Sequence, residues 1–456
     1  MKVMLLTHYY PPEEGPPQRR WGALVARLTI DHEVLVLSPT PHYPVGRRIF
    51  PSYPAFDVGS TGAGEYGEHI VRLPYVPHGR GLGLRTLDQA VAGIAAMVVG
   101  IRHGLPRSRR PDVIVASAPA LPMALAGYAV GVVLRRPVVL EFRDAWPDLI
   151  DHRKEWDAST TSIRWRPPAR VGDALVRALT HVQRRCAAVV TTTESFAAVL
   201  RRRGVDRVVV IRNGPRPPGP GSDPVGAATA PQVGAATAPQ VVTESPVAVT
   251  TAVEDETTPE AEPALRAIAD GPLRVVYLGT TGRAQGLDDV IRSVARAAEL
   301  GVAVHLRIVG SGAAEGALRE LAAQLGTPVE FLGHVQQSQV RDHYAWAHTA
   351  VVSLRDWKPL EWTVPSKLYE LMQEGVYVTA VVRGEAAEIV RQTLVGSVVP
   401  PGDVEALAAL WVTLSESGVP LPATDRSRAW LAEHTAYDAL AGAYTALLQQ
   451  VRIRRG

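Results

Sequence analysis

Lys367 and Glu370 stand out chemically in the stretch Val364-Pro365-Ser366-Lys367-Leu368-Tyr369-Glu370. Pro365 suits the first turn of a helix, where its missing N–H costs nothing. Leu368, Leu371 and Met372 fall at helical spacing and are expected to face a core. Lys367 and Glu370 are three apart and share one side of the helix start. A lysine there opposes the helix dipole, by roughly 0.3–1 kcal/mol. An anion docked on the free N–H groups removes that conflict, and N–H groups plus an ammonium make a phosphate site. Glu370 would then accept hydrogen bonds from ribose hydroxyls. The plain alternative is a solvated Lys–Glu pair.

Three other stretches could do chemistry. Gly279-Thr280-Thr281-Gly282-Arg283-Ala284-Gln285-Gly286 follows an apolar run and precedes a helical pattern. Glycine lets backbone amides approach an anion, and Arg283 adds a fixed planar charge; an ordinary Gly-rich turn reads the same way. The loop 13–19 has a flexible Gly15 and a cationic Arg19. Glu141-Phe142-Arg143-Asp144-Ala145-Trp146-Pro147 ends an apolar strand, and Asp144 could orient or deprotonate an acceptor hydroxyl. An Arg143–Asp144 pair capping the next segment is the alternative. The 13 histidines form no His-x-x-x-His motif, so no metal is expected. Neither Gly-x-Ser-x-Gly nor Gly-x-x-x-x-Gly-Lys-Ser/Thr is present, which argues against a nucleophile-elbow hydrolase and a P-loop NTPase.

The elements that must hold these residues alternate. Apolar runs of strand length at 2–7, 33–37, 113–116, 138–142, 188–191 and 208–211 are interleaved with helical patterns at 20–28, 121–134 and 172–185. That is the grammar of a parallel sheet built from βαβ units. It restarts with runs at 274–278, 304–309, 329–331, 350–354 and 376–382, between helical patterns at 287–298, 314–325, 365–373, 385–392 and 404–414. The chain is therefore expected to be α/β, with two doubly wound halves whose strand ends face a common cleft. The expected units are 1–214, 215–272 as a linker, 273–425, and a helical tail 426–456 returning to the first half.

Composition supports a globular chain of 456 residues, 46% hydrophobic, with a formal net charge of +3. No aromatic-interleaved basic run points to nucleic acid. One cysteine, Cys186, excludes an internal disulfide and fits a reducing compartment. Residues 217–263 lack Lys and Arg and repeat Val-Gly-Ala-Ala-Thr-Ala-Pro-Gln in tandem; they are expected to be a disordered linker. The N-terminus lacks a signal-peptide pattern, and 90–101 is too short to span a bilayer and is expected to be a buried helix. Arginines cluster at 107–110, 184–185, 201–203 and 454–455. They read as solvated faces or as a surface for an anionic membrane or phosphorylated acceptor. The expected location is cytoplasmic, with peripheral contact at the inner membrane face as one option.

Taken in order, these motifs resemble the retaining, nucleotide-sugar-dependent glycosyltransferases of family four, which have the GT-B fold of two Rossmann-like domains. The subgroup they most resemble comprises the bacterial colanic-acid and O-antigen aminosugar transferases. The stretches that carry the likeness include Tyr10-Pro11-Pro12-Glu13, Pro41-His42-Tyr43-Pro44-Val45-Gly46, Ile211-Arg212-Asn213-Gly214, Ile308-Val309-Gly310-Ser311-Gly312, and 364–370. The resemblance implies a UDP-linked donor, such as an N-acetylhexosamine, and a small-molecule, glycolipid or glycan acceptor. It places the ribose at Glu370 and the base at Gly333 to Val335. The diphosphate falls to Lys367 and Arg283, with Gly279, Thr280, Gly15 and Arg19 around it. Glu361 is the implied sugar contact, and His42, Tyr43, Arg85 and Asp144 line the acceptor side. It implies Asp144, Arg283 and Lys367 as catalytic groups and no metal or other cofactor. The chain departs from its relatives in having Thr280 and Gln285 where many carry Arg and Lys. Eight residues, not seven, separate Glu361 from Glu370. A sugar-nucleotide epimerase and a non-catalytic donor-binding partner are the competing functions.

Overall fold

The computed structural model describes residues 1–43, 46–50, 52–79, 82–152, 169–216, 265–268 and 271–453. The stretch expected as a linker, 217–263, lies outside them, as do Pro44 and Val45. The first domain holds an eight-stranded sheet. Its strands are β1 (Lys2–Thr7), β2 (Glu33–Pro39), β3 (Thr61–Ala63), β4 (His69–Leu73), β5 (Val113–Ser117), β6 (Val138–Phe142), β7 (Ala188–Thr191) and β8 (Val208–Val210). They lie in the order β3-β4-β2-β1-β5-β6-β7-β8, parallel except for the edge strand β3. The central strands are buried on both faces, which is why they read as unbroken apolar runs.

Helices cover both faces. One face carries α2 (Leu82–Gly104), α3 (Leu121–Leu134), α4 (Ala169–Arg185) and α5 (Glu194–Arg202). The other carries α1 (Pro16–Asp31) and, from the far end of the chain, the last helix, Tyr437–Ile453. A two-residue strand, β9 (Leu265–Arg266), precedes the second sheet. That sheet has six parallel strands: β10 (Leu273–Leu278), β11 (Val304–Val309), β12 (Val329–Gly333), β13 (Thr349–Ser353), β14 (Val378–Val381) and β15 (Gly396–Val399). Their order is β12-β11-β10-β13-β14-β15. In both sheets the strand order reverses next to the first strand, at β1/β5 and at β10/β13. Ligand crevices open at such switch points.

The second domain's helices are α6 (Leu287–Glu299), α7 (Glu315–Leu325), α8 (Val340–Trp346), α9 (Ser366–Glu374), α10 (Gly384–Thr393), α11 (Val404–Ser417) and α12 (Thr424–Thr435). A short β16 (Val419–Pro420) pairs with β9. Helix α12 packs on α9, and the chain then crosses at Ala436 so that α13 (Tyr437–Ile453) packs on α1. The domains touch directly. Thr193 Oγ1 donates to the Trp362 carbonyl at 2.7 Å, and Glu385 accepts from the Ser195 N–H and hydroxyl at 2.8 Å each. Phe196 stacks on Trp362, and Leu149 is buried among second-domain side chains.

Two expectations need correction. Residues 90–101 are the middle of a 23-residue helix, and only 28% of its apolar window is buried. One side is close-packed because it is nearly bare. A Cβ on Gly93 would lie 2.7 Å from Pro122, and one on Gly104 would lie 2.3 Å from Leu134. The opposite side is apolar and uncovered, with Ile94 60% exposed. Pro365 also stands one position earlier than expected. It is the N-cap, with ψ at 129°, and α9 starts at Ser366. Proline has no side-chain acceptor, so no side-chain cap bond forms at the start of α9, where the Leu368 N–H donates to the Pro365 carbonyl at 3.0 Å.

The core of the first domain contains an ion pair. Glu141, fully buried and next to last in β6, accepts from Arg20 Nη2 at 3.1 Å and from Ser117 Oγ at 3.1 Å. Tyr444 of α13 donates to the same carboxylate. Arg20 also donates to the carbonyl of Ile211, at 2.8 Å. Burial disfavours the Glu141 charge, but Arg20 and Arg143 outweigh it and hold its pKa below the usual carboxylate range. Arg20→Met should leave the buried carboxylate with only the more distant Arg143, at 3.8 Å, as counter-charge and destabilise the protein by about 3–5 kcal/mol. Adding Glu141→Leu should recover much of that loss. Urea unfolding followed by circular dichroism checks both, and an Arg20→Met loss near zero would show that the pair is not an anchor.

Candidate active site in the cleft between the sheets

Lys367 lies in the first turn of α9, one helical position past Ser366. Its ammonium is enclosed by protein and has no hydrogen-bond partner. It sits 3.6 Å from the centroid of the Tyr277 ring, and a Cβ on Gly279 would be 2.9 Å from it. Any larger residue at Gly279 would also meet a φ of +144°. Burial lowers the Lys367 pKa to about 7, and the Glu370 charge only partly offsets this. An ammonium in this state is a strong binding site for an anion that can replace its lost water.

The loop after β10 is pressed flat by its neighbour. Gly310 and Gly312, at the end of β11, leave room for no side chain: Cβ atoms there would lie 2.0 Å from the Gly279 carbonyl and 2.4 Å from the Thr281 carbonyl. The Thr281 N–H donates to the Ser311 carbonyl at 3.2 Å. Thr280 is exposed, and its carbonyl accepts from the Tyr277 hydroxyl at 2.7 Å. Arg283 starts a 3-10 turn, and its carbonyl accepts from Arg355 Nε at 2.9 Å. Gly333 ends β12 at φ +64°, where its carbonyl accepts from the Gly310 N–H. Val335 packs on the second-domain core. Glu361 lies in the turn before α9 and pairs with Lys358 at 2.5 Å.

Two helix starts face each other across the cleft. Pro16 of α1 and Ser366 of α9 line one cavity with Arg19, Asn213, Arg216 and Glu370. Gly15 is the N-cap of α1, and neither helix has a side-chain cap bond at its start. The positive ends of both dipoles therefore converge with two guanidinium groups. Glu370 is the one acid among these lining residues, and its Oε1 lies 3.1 Å from Arg216 Nη1. Burial and the Arg216 charge lower the Arg19 pKa, against the pull of Glu370. Arg216 carries no local sequence signal beyond its place two residues after Asn213-Gly214.

On the first-domain side, Glu13 joins two loops. Its Oε1 accepts from the backbone N–H groups of His42 and Tyr43, at 2.7 and 2.8 Å, and its Oε2 accepts from Gln18 at 2.9 Å. Behind that loop, Asp88 Oδ2 lies 3.1 Å from both His8 Nε2 and His42 Nε2. The Val76 N–H donates to its other oxygen at 2.8 Å. His42 Nδ1 faces the Thr40 carbonyl at 2.7 Å. Both nitrogens of His42 thus face oxygen acceptors, an arrangement that favours the doubly protonated ring. Burial opposes that charge, but the bonds to Asp88 and Thr40 outweigh it and raise the His42 pKa. His8, Nδ1 unpartnered, is pushed the other way by burial.

No spacing motif anticipates that triad, because Asp88 sits 46 residues after His42 in an apolar helix. His8, His42 and Asp88 place ligand-type atoms within 4.8 Å of one another. The same Nε2 atoms face Asp88 in the hydrogen-bonded set, and a metal there would need both of them deprotonated. Toward the cleft, Tyr9 packs edge-on to Tyr43, and Arg85 Nη2 donates to the Tyr9 hydroxyl at 3.2 Å. Asp144 is half-buried just past β6. Burial raises its pKa, and the neighbouring Arg143 charge works against the rise. Among the described residues no hydrogen bond or ion pair joins Asp144 to His42, Lys367 or Arg283.

Comparison with known proteins agrees with this architecture. The family described as Glycosyl transferase 4-like domain matches residues 15–214, and Glycosyl transferases group 1 matches 272–417. No curated protein matches the chain. Among solved structures, sucrose-phosphate synthase from Thermosynechococcus elongatus is similar at 14% identity and a TM-score of 0.62, with 99% of each chain covered. HepE from Anabaena in complex with UDP-glucose is similar at 14% identity and a TM-score of 0.58, covering 99% of this chain and 100% of that one. A glycosyltransferase from Rickettsia africae is similar at 10% identity and a TM-score of 0.56, covering 99% and 98%. The two family matches take in both domains, so the chain belongs to the family-four glycosyltransferases, hexosyltransferase-type enzymes of GT-B fold.

Proposed function

We propose that the protein is a retaining glycosyltransferase that takes a sugar from a nucleoside-diphosphate donor and places it on a hydroxyl acceptor. The observation that carries this is Lys367, an enclosed ammonium with no hydrogen-bond partner, at an uncapped helix start against Gly279. The diphosphate would lie between the starts of α1 and α9, held by Lys367, Arg19 and Arg283. Glu370 would turn from Arg216 toward the ribose, and the Gly333 to Val335 backbone would face the base. HepE binds UDP-glucose on the same fold, which supports a UDP-linked donor. The likeness of 364–370 and the His42 loop to aminosugar transferases favours an N-acetylhexosamine.

In the reaction the acceptor oxygen bonds to the anomeric carbon while the bond from that carbon to the β-phosphate oxygen breaks. The acceptor proton passes to the departing phosphate, and the nucleoside diphosphate leaves from the same face. Lys367 and Arg283 stabilise the charge that grows on the leaving group. Asp144 orients the acceptor hydroxyl, beside Tyr43 and the His42 loop. These cations and helix starts supply the positive charge a metal would otherwise bring. A lipid-linked or glycan acceptor fits an enzyme working in the cytoplasm. Product formed without acceptor would instead favour an epimerase, and donor binding without turnover a non-catalytic partner.

Lys367→Ala should weaken donor binding by roughly tenfold or more in calorimetry, since a charge-assisted bond contributes about 1.5–3 kcal/mol. Asp144→Asn should lower turnover with little change in donor Kd. Near-wild-type rates in both variants would refute the site. The Lys367 pKa near 7 also fixes a pH dependence. The cation that binds phosphate is present below about 7 and is lost as pH rises above it. Donor Kd should therefore rise between roughly pH 7 and 9 in the native protein, a rise absent from Lys367→Ala. Lys367→Met should raise the melting temperature of the free protein by about 2–5 °C, because it removes an unpartnered buried charge.

A further inference from the structure

Three loops of the first domain meet one helix at a single carboxylate oxygen. His8 follows β1, His42 follows β2, His78 follows β4, and Asp88 lies on α2. The Nε2 atoms of His8 and His42 lie 3.1 Å from Asp88 Oδ2, and that of His78 lies 3.6 Å from the same oxygen. The His42 ring stands edge-on to both others, at 86° to His8 and 87° to His78. Three imidazoles thus converge on one point without stacking. All four side chains are enclosed, from 0% exposed at Asp88 to 9% at His78.

Hydrogen bonding alone does not account for this set. The third imidazole, at 3.6 Å, is too far from Asp88 Oδ2 for a hydrogen bond, and one oxygen has two lone pairs for three rings. The outer atoms of the cluster are held by backbone. Asp88 Oδ1 accepts from the Val76 N–H at 2.8 Å, which leaves Oδ2 to the histidines. His42 Nδ1 faces the Thr40 carbonyl at 2.7 Å, and His78 Nδ1 faces the Gly79 carbonyl at 3.0 Å. A neutral ring that donates from Nδ1 to a carbonyl has its lone pair at Nε2, which is how metal-bound histidines are oriented. The His78 N–H donates to the Gly46 carbonyl at 2.8 Å, and a Cβ on Gly46 would lie 2.1 Å from the His78 carbonyl oxygen. The loop that carries His78 is therefore pressed onto the loop that carries His42.

We propose that His8, His42, His78 and Asp88 bind a zinc ion. Four tetrahedral ligands on bonds of about 2.0–2.1 Å stand roughly 3.3–3.5 Å from one another. The three histidine nitrogens lie 3.1, 3.1 and 3.6 Å from Asp88 Oδ2. The ligand atoms of His8, His42 and Asp88 lie within 4.8 Å of one another, and the ion draws the two imidazoles together. Imidazole nitrogens with a single carboxylate suit zinc, whereas magnesium and calcium take oxygen ligands. Four protein ligands leave no open position, so the ion is structural and enters no transfer step. It ties the loops after β1, β2 and β4 to α2. Those elements carry Tyr9, Tyr43 and Arg85, which contact one another on the side facing the cleft, so the ion sets the spacing of that wall. His42 must give up its Nε2 proton to bind, so affinity falls as pH drops. Zinc binding does not depend on which sugar or acceptor the cleft takes.

Calorimetry on the untagged full chain, stripped of metal with a chelator, tests this without an activity readout. The stripped protein should bind one zinc ion per chain. Its melting temperature should rise by about 5 °C or more once free zinc exceeds Kd a hundredfold. His78→Ala and Asp88→Asn should each weaken zinc binding by roughly tenfold or more. Cobalt in place of zinc should give the intense visible absorption of a tetrahedral ion in the native chain, and His78→Ala should change that spectrum. Should Asp88→Asn unfold the domain, His78→Ala and the cobalt spectrum decide, since His78 lies at the edge of the cluster. Stripped native protein that binds no zinc overturns the proposal. Zinc binding that is unchanged in His78→Ala places the ion elsewhere and also overturns it, as does the weak absorption of an octahedral cobalt ion.

Discussion

The structure depends on one buried carboxylate. Glu141, next to last in β6, has no exposure, a position that an acid occupies only when its charge is matched and its lone pairs are filled. Arg20, Ser117 and Tyr444 do this together. The partners come from α1, β5 and the last helix of the chain. Arg20 further grips the carbonyl of Ile211, where the first domain hands over to the connector. One side chain thereby sets the start of α1, the exit of the first domain and the seat of α13. The first-domain wall of the cleft inherits its geometry from that knot. Gly15 and Arg19 precede Arg20 on α1, and Arg216 follows Ile211.

The opposite wall is organised around an unmatched charge. Glu141 is a buried ion that the fold satisfies, whereas Lys367 is a buried ion that the fold leaves unsatisfied. The difference separates structure from function. A fold under selection for stability alone has no reason to keep an ammonium over Tyr277 at an uncapped helix start. The same contrast appears between the two guanidinium groups of α1. Arg20 is consumed in the core, while its neighbour Arg19 faces the cleft beside Arg216 and Glu370.

Much of this was legible in the sequence where local signals suffice. The strands Lys2–Thr7, Val138–Phe142 and Ala188–Thr191 and the helix Leu121–Leu134 have the bounds their apolar runs announce, because doubly covered strands must be apolar throughout. β4 (His69–Leu73), β15 (Gly396–Val399) and α8 (Val340–Trp346) were not legible. Each is short, and β4 and α8 interleave polar residues with apolar ones. Lys367 was legible because a cation in a first turn breaks a local rule. Its pairing with Gly279 was not, since the contact spans 88 positions. Asp88 looks like an isolated acid in an apolar helix until folding brings His8 and His42 to it. The exposed side of α2 was misread because an apolar stripe reads alike whether protein covers it or not.

The central claim is that the cleft holds a buried lysine that takes on its charge against a diphosphate. Counting protons tests it most directly. UDP should be titrated into the protein at about pH 8 in two buffers of different ionisation enthalpy. If Lys367 is largely neutral in the free protein and charged against phosphate, binding takes up close to one proton, and the Lys367→Ala variant takes up none. UDP binding with no difference in proton uptake between native and variant protein would contradict the account.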